Sequence, residues 1–256
     1  MGFRPLILMA GLVSMPLPAA GVPSGPDCLK VGLNNLPPFV FPGPDGRLQG
    51  IHVDYIRQLE KRTGLCFTIR SVPFARSLRG METGQFDAAV FFKGKKRAHF
   101  ARPAARFLSG AFHMVMPRSG LVLKTKGDLR GKKVGTLRRG AVLAKVSKIP
   151  GVRIFKANDY YTMFRMLGRG RTDAVAGNTL NFAWEMRSPE IRGKADPAGA
   201  LNLGVKEQWF HFSLKSPHLD KAEKVRQASD ALVQEGQVRK IVDRYLGTGW
   251  ENLLAH

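Results

Sequence analysis

The chain has 256 residues, 44% hydrophobic and 23% charged, which is enough to bury one large core or two moderate ones. Lys plus Arg number 41 against 19 for Asp plus Glu, a formal net charge of +22, and this excludes an acidic solvating segment or a disordered polar tail. Two cysteines leave room for one disulfide and exclude a cysteine-rich scaffold or a four-cysteine zinc site.

Residues 1–20 carry a positive start at Arg4, an apolar stretch from Leu6 to Leu17, and small residues at Ala19-Ala20-Gly21. The stretch is well short of the roughly 20 residues that span a bilayer, so a cleaved signal peptide and a periplasmic mature chain are expected. Cys28 opens one strand-like run, Cys28-Leu29-Lys30-Val31-Gly32, and Cys66 opens another, Cys66-Phe67-Thr68-Ile69-Arg70. If the two runs are neighbouring parallel strands, both cysteines lie at one edge of the sheet. A Cys28–Cys66 bond is then expected in an oxidising compartment, with two separately buried thiols as the alternative.

Between these runs, Ile51, Tyr55, Ile56 and Leu59 recur at helical spacing, and Gly64 is placed to end that helix. Phe74 to Thr83 reads as the next helix, closed by Gly84, and Phe86 to Phe92 as a strand buried on both faces. A further strand at Ala111 to Met116 ends at the break Pro117-Arg118-Ser119-Gly120. A second series follows: strands at Lys132 to Thr136, Val152 to Phe155 and Asp173 to Ala176, and helices at Ala141 to Lys148 and Asp159 to Leu167. Alternation of this kind is the pattern of parallel α/β units.

The two series echo each other through Gly84-Gln85-Phe86-Asp87-Ala88 and Gly170-Arg171-Thr172-Asp173-Ala174, each at a helix-to-strand step. Two amphipathic helices, Leu219 to Val233 and Val238 to Leu246, close the chain and are expected to return to the first series. The expected fold class is therefore α/β, two Rossmann-like lobes joined by a hinge that the chain crosses twice. Residues 21–120 with 206–256 form lobe one, and residues 121–205 form lobe two.

No Gly-x-Ser-x-Gly, His-Glu-x-x-His or Gly-x-Gly-x-x-Gly occurs. The six His show no ligand spacing with Cys or acids, so no metal or other cofactor is expected. Residues 121–205 hold 17 Lys plus Arg against 6 acids, the more basic part of the chain. No recognised nucleic-acid module accompanies that charge, so no nucleic-acid partner is expected; a solvated surface, an anionic ligand and an anionic partner surface remain as readings.

Several segments in order resemble a known family. They are Leu29-Lys30-Val31-Gly32 with Pro37-Pro38-Phe39, Asp45-Gly46-Arg47-Leu48-Gln49-Gly50, Phe86-Asp87-Ala88-Ala89-Val90, Arg97, Gly131-Lys132-Lys133-Val134-Gly135, and Asp173-Ala174-Val175-Ala176. Together they are similar to the bacterial extracellular solute-binding proteins of family 3, the type II periplasmic binding proteins of Venus-flytrap form.

The resemblance implies a small-molecule ligand held between the lobes, an ABC permease in the inner membrane as partner, a monomer, and no enzymatic activity. It assigns Arg97 to an α-carboxylate, Phe39 and Phe74 to the walls of the pocket, and Asn34 to a polar position of the first loop. Arg139 and Gly140 fall where helix-opening amides help hold an anion. Asn178 stands where the family carries an ammonium-binding Asp, so the expected ligand is a carboxylate or other anion without a free amino group. Two alternatives accompany this reading: a flytrap that senses a ligand for signalling, and a dehydratase-like enzyme using Glu207 or Asp54.

Overall fold

The computed structural model describes residues 27–138 and 140–253; the expected signal peptide and Arg139 lie outside the described residues. The strands are β1 (Leu29–Asn34), β2 (Phe41–Pro42), β3 (Leu48–Gln49), β4 (Phe67–Val72), β5 (Ala88–Phe92), β6 (Ala101–Pro117), β7 (Lys133–Leu137), β8 (Arg153–Ala157), β9 (Ala174–Asn178) and β10 (Leu201–Ser213). The α-helices are α1 (Ile51–Thr63), α2 (Phe74–Thr83), α3 (Leu143–Val146), α4 (Tyr160–Gly168), α5 (Thr179–Glu185), α6 (Ala222–Gln234) and α7 (Gln237–Leu246).

Eight strands make one sheet in the order β4-β1-β5-β10-β6-β9-β7-β8, with the short pair β2–β3 apart from it. β1 pairs in parallel with β4 and β5, and β7 in parallel with β8 and β9. Each trio is a strand-helix-strand-helix-strand unit with its first strand in the middle. The two units are joined by β6 and β10, which run antiparallel to each other; β10 also pairs with β5, and β6 with β9.

The echoed Gly-x-x-Asp-Ala segments do the same work in both units. The Asp87 carboxylate accepts the Lys30 N–H at 2.8 Å, and the Asp173 carboxylate accepts the Lys133 N–H at 2.8 Å. The return bonds match as well, Asp87 N–H to Lys30 C=O at 2.8 Å and Asp173 N–H to Lys133 C=O at 2.7 Å. Each aspartate therefore satisfies the lead strand at the point where the third strand enters beside it. Cys28 and Cys66 precede the paired strands β1 and β4 and are joined in a disulfide with Cα atoms 4.6 Å apart.

The C-terminal helices pack on α1. Val225, Leu232 and Val242 share a fully buried cluster with Leu33, Ile56 and Leu59, and the Tyr55 hydroxyl donates to Ser229 Oγ at 2.7 Å inside it. α5 joins this cluster through Leu180 and Ala183, although it follows directly on β9. Asn181 Nδ2 donates to Pro37 C=O at 2.6 Å, and the Trp184 ring lies 5.1 Å from Phe41.

Four elements differ from expectation. The helix expected over 141–148 is reduced to α3, because the Ser147 hydroxyl bonds back to Leu143 C=O and Pro150 disfavours helical backbone at the residue before it. The strand expected at 111–116 begins ten residues earlier, because β10 supplies a partner along almost its whole length. β10 itself, interrupted by Gly204 and the run Lys206-Glu207-Gln208, and α5 were not anticipated from the sequence.

Candidate functional site

Parallel strands aim their carboxyl ends the same way, and in open α/β sheets the crevice beyond those ends is where ligands bind. Here the last residues of β1, β4 and β5 in one parallel trio (Asn34, Val72, Phe92) and of β7 and β9 in the other, oppositely directed trio (Leu137, Asn178) line one cleft of about 1180 Å³. Asn34, Phe39, Phe74, Arg97, Gly140 and Asn178 all line it.

Arg97 ends a short 3-10 turn, Lys95–Arg97, just beyond β5. Its guanidinium sits between two rings, 5.3 Å from Phe91 and 5.6 Å from Phe74, and Nη1 donates to Phe92 C=O at 3.1 Å. Among the described residues it has no carboxylate partner, and partial burial lowers its pKa from the usual arginine value. A planar donor held on a ring bed with free N–H groups suits a carboxylate or similar oxyanion.

Phe39 is buried and stacks on His52, ring centres 4.5 Å apart. His52 Nε2 donates to Gln208 Oε1 at 3.0 Å, while His52 Nδ1 has no partner among the described residues. Burial pushes the His52 pKa down to about 4, so this wall of the cleft is neutral at pH 7. Gly140 lines the cleft, but its N–H is committed to Leu137 C=O at 3.0 Å, and α3 begins only at Leu143. Its amide is thereby used in a turn and does not open a helix as expected.

Asn178 caps α5: its Oδ1 accepts the Leu180 N–H at 2.9 Å. That bond fixes the amide so that Nδ2, a donor, is the buried group left without a partner among the described residues. Its cross-strand neighbour in the β6–β9 register is His113, whose Nδ1 is also buried and unpartnered among the described residues. Burial, with Lys145 and Lys206 nearby, pushes the His113 pKa down to about 4. Lys145 donates to Leu203 C=O at 2.6 Å, and its own pKa is lowered by burial and by Lys206.

Lys93, Lys95, Lys96, Arg97, Arg138, Lys145 and Lys206 line the cleft, and among the described residues Glu82 is the one acidic group that lines it. Glu82 stands 3.7 Å from His99 on the exposed rim. The cleft is thus built from cations, neutral imidazoles, amide donors and aromatic rings, a set that takes an anion and offers an ammonium almost nothing. Asp54, offered as a catalytic acid, lies outside it and accepts from Tyr245 and Arg244; Glu207 accepts from Trp209 Nε1 at 3.0 Å and lines a smaller neighbouring pocket. Among the described residues no group of three His, Cys, Asp or Glu could hold a metal ion, and no helix is long and apolar enough to cross a membrane.

His113, Lys145, Lys206, His52 and Gln208 were missed in the sequence. His113, Lys206 and Gln208 lie on β6 and β10, whose pairing joins distant parts of the chain, and no local spacing betrays them.

The family model of bacterial extracellular solute-binding proteins, family 3, matches residues 29–248. The L-cystine-binding protein TcyJ of Escherichia coli K12 is 25% identical over 226 residues, covering 86% of this chain and 82% of that protein. The L-arginine-binding protein of Pseudomonas aeruginosa is 24% identical over 250 residues, 93% of each. The virulence sensor protein BvgS of Bordetella pertussis is 26% identical over 188 residues, covering 68% of this chain and 14% of the sensor. Among solved structures, an ArgBP mutant from T. maritima superposes with a TM-score of 0.69 at 20% identity, covering 86% of this chain and 95% of that one. The periplasmic VFT2 domain of BvgS superposes with a TM-score of 0.68 at 20% identity, covering 86% and 93%. At these identities the structural likeness shows the fold, the type II periplasmic binding protein architecture.

Proposed function

The chain belongs to the bacterial extracellular solute-binding proteins of family 3, and on that premise we propose that it is a non-catalytic receptor for a small anionic solute without a free ammonium group. The receptor is exported by residues 1–20, works as a monomer in the periplasm, and delivers its solute to an ABC permease of the inner membrane. The observation that carries the ligand class is Asn178: it lines the cleft, its capping bond leaves its other side-chain atom a donor in place of an acceptor, and the surrounding charge is positive. Arg97 grips the anion on its ring bed, with Phe39 and Phe74 as walls and Asn34 at the rim.

Binding acts by closure. Lobe one, residues 21–120 with 206–256, and lobe two, residues 121–205, meet on β6 and β10. The hinge lies in the middle of these long strands, where β10 leaves β5 and β6 takes up β9. A solute touching both sides favours the closed form by whatever contacts the open form lacks.

A solute panel followed by thermal unfolding and by product analysis tests the reading. Small carboxylates are expected to raise the melting temperature without being consumed, and Arg97→Ala to remove that rise while leaving the unliganded protein stable. Turnover of any solute, or a ligand response undiminished by Arg97→Ala, contradicts it. The likeness to BvgS supports a second reading, in which closure signals to a partner protein instead of a permease. Loss of solute uptake in a strain lacking the protein supports delivery to a permease; normal uptake with a lost response supports the sensor.

A further inference from the structure

The cleft holds two groups of cations, not one. Arg97 and Lys93 stand beyond β5, where both depress His211 on the far side of the Phe91 ring. Lys145, which bonds Leu203 C=O, and Lys206 stand near His113, whose charge burial and both lysines oppose; Lys206 also lines the smaller pocket that Lys93 and Arg97 share. Phe92 separates the groups: its carbonyl accepts from Arg97, and its ring meets the His113 ring edge-on at 5.1 Å.

The second group is costly as it stands. Lys145 and Lys206 are half-buried, neither has a carboxylate partner among the described residues, and burial together with Lys206 disfavours the charge of Lys145. Beside them, His113 is 3% exposed and Asn178 is 4% exposed. Each residue lines the cleft and has a nitrogen that is buried and without a partner among the described residues, a penalty of about 1–3 kcal/mol per group. One oxyanion placed there would attract both ammonium groups and accept from the Asn178 amide, which lowers both costs together.

We propose that His113, Lys145, Lys206 and the Asn178 amide form a second anion-holding subsite on the other side of Phe92 from Arg97, and that the solute is a small linear dianion held at both ends. This rests on the receptor reading above and narrows its solute class. One anionic group lies on Arg97, the other between Lys145 and Lys206, and the aromatic rings pack along the chain that joins them. Because Lys206 belongs to β10 and Lys145 to α3, the second anionic group also ties the hinge to the second unit, so the dianion favours closure more than a monoanion does.

Calorimetry of the mature protein with succinate, glutarate and adipate, with butyrate as monoanion and L-glutamine as zwitterion, tests it. One of the three dianions is expected to bind at least about tenfold more tightly than butyrate, the scale of one well-placed charge pair. Lys145→Met and Lys206→Met keep the apolar stems and relieve repulsion, so both variants are expected to fold. In each, the dianion-over-butyrate ratio is expected to fall towards one. A ratio near one in the unsubstituted protein, or a ratio that survives both substitutions, overturns the second subsite. L-glutamine binding more tightly than every dianion overturns it too, while leaving a solute receptor in place. If none of the five binds, the dianion assignment and the receptor reading built on this cleft fall together.

Discussion

Replacing Asn178 by Asp changes one atom in the cleft and reverses its chemistry. One carboxylate oxygen keeps the cap on the Leu180 N–H, since Asp and Asn cap helices about equally well. The other oxygen takes the place of Nδ2, beside the His113 ring that directly opposes it in the β6–β9 register. Side chains opposed in this way have Cβ atoms about 4.5–5.5 Å apart, and an opposite charge within about 4–6 Å moves a pKa by roughly 1–3 units.

His113 sits near pKa 4 because burial, Lys145 and Lys206 all oppose its charge. In Asn178→Asp it is expected to rise by at least about one unit, which is about 1.4 kcal/mol of new coupling. The assay is a proton NMR titration of the imidazole Cε1–H, with the half-buried His218, which does not line the cleft, as an internal reference. The same variant is expected to bind small carboxylates more weakly and a zwitterionic amino acid better. A His113 titration unmoved by the substitution refutes the placement of the Asn178 amide next to that ring.

Two other outcomes follow from the fold. The Cys28–Cys66 bond closes a loop of 38 residues, so its removal in a Cys28→Ser, Cys66→Ser double variant is expected to cost about 4 kcal/mol by the chain-entropy relation; urea unfolding that shifts by less than about 1 kcal/mol contradicts this. His52, His113 and His211 are each held down to about 4 by burial, so the unfolded chain takes up their protons first as pH falls. Their neutral forms therefore add stability that is full above about pH 6.5 and lost towards pH 4, at most about 2 kcal/mol per ring between pH 7 and 5. A urea midpoint that does not fall over that range contradicts the burial of all three.

The repeat was legible because it is local. Asp87 and Asp173 lie three residues after a helix-ending glycine and bond the lead strand of their own unit, so the sequence echo and the structural echo are the same feature. The disulfide and the return of the last two helices could be read for a similar reason: apolar spacing and strand-edge position determine them. Arg97 was reached through family resemblance, and its ring bed on Phe74 and Phe91 became visible only in the fold.

The second cation group was hidden because it is assembled from β6, β10 and α3. β10 carries Gly204 and three consecutive polar residues where a buried strand would show apolar ones, since part of it lines the cleft. His113 reads as an unremarkable strand residue until β9 brings Asn178 beside it. The shortened α3 follows from the competing bond of Ser147 and the approach of Pro150, both of which a periodicity count overlooks.

The central claim is that this cleft selects a small anion and rejects an ammonium. Mass spectrometry of the small molecules that remain on protein purified gently from its own host reads that selection directly. The account predicts a retained solute with acidic groups and no free amine; recovery of an ordinary α-amino acid, bound one to one and lost in Arg97→Ala, would contradict it.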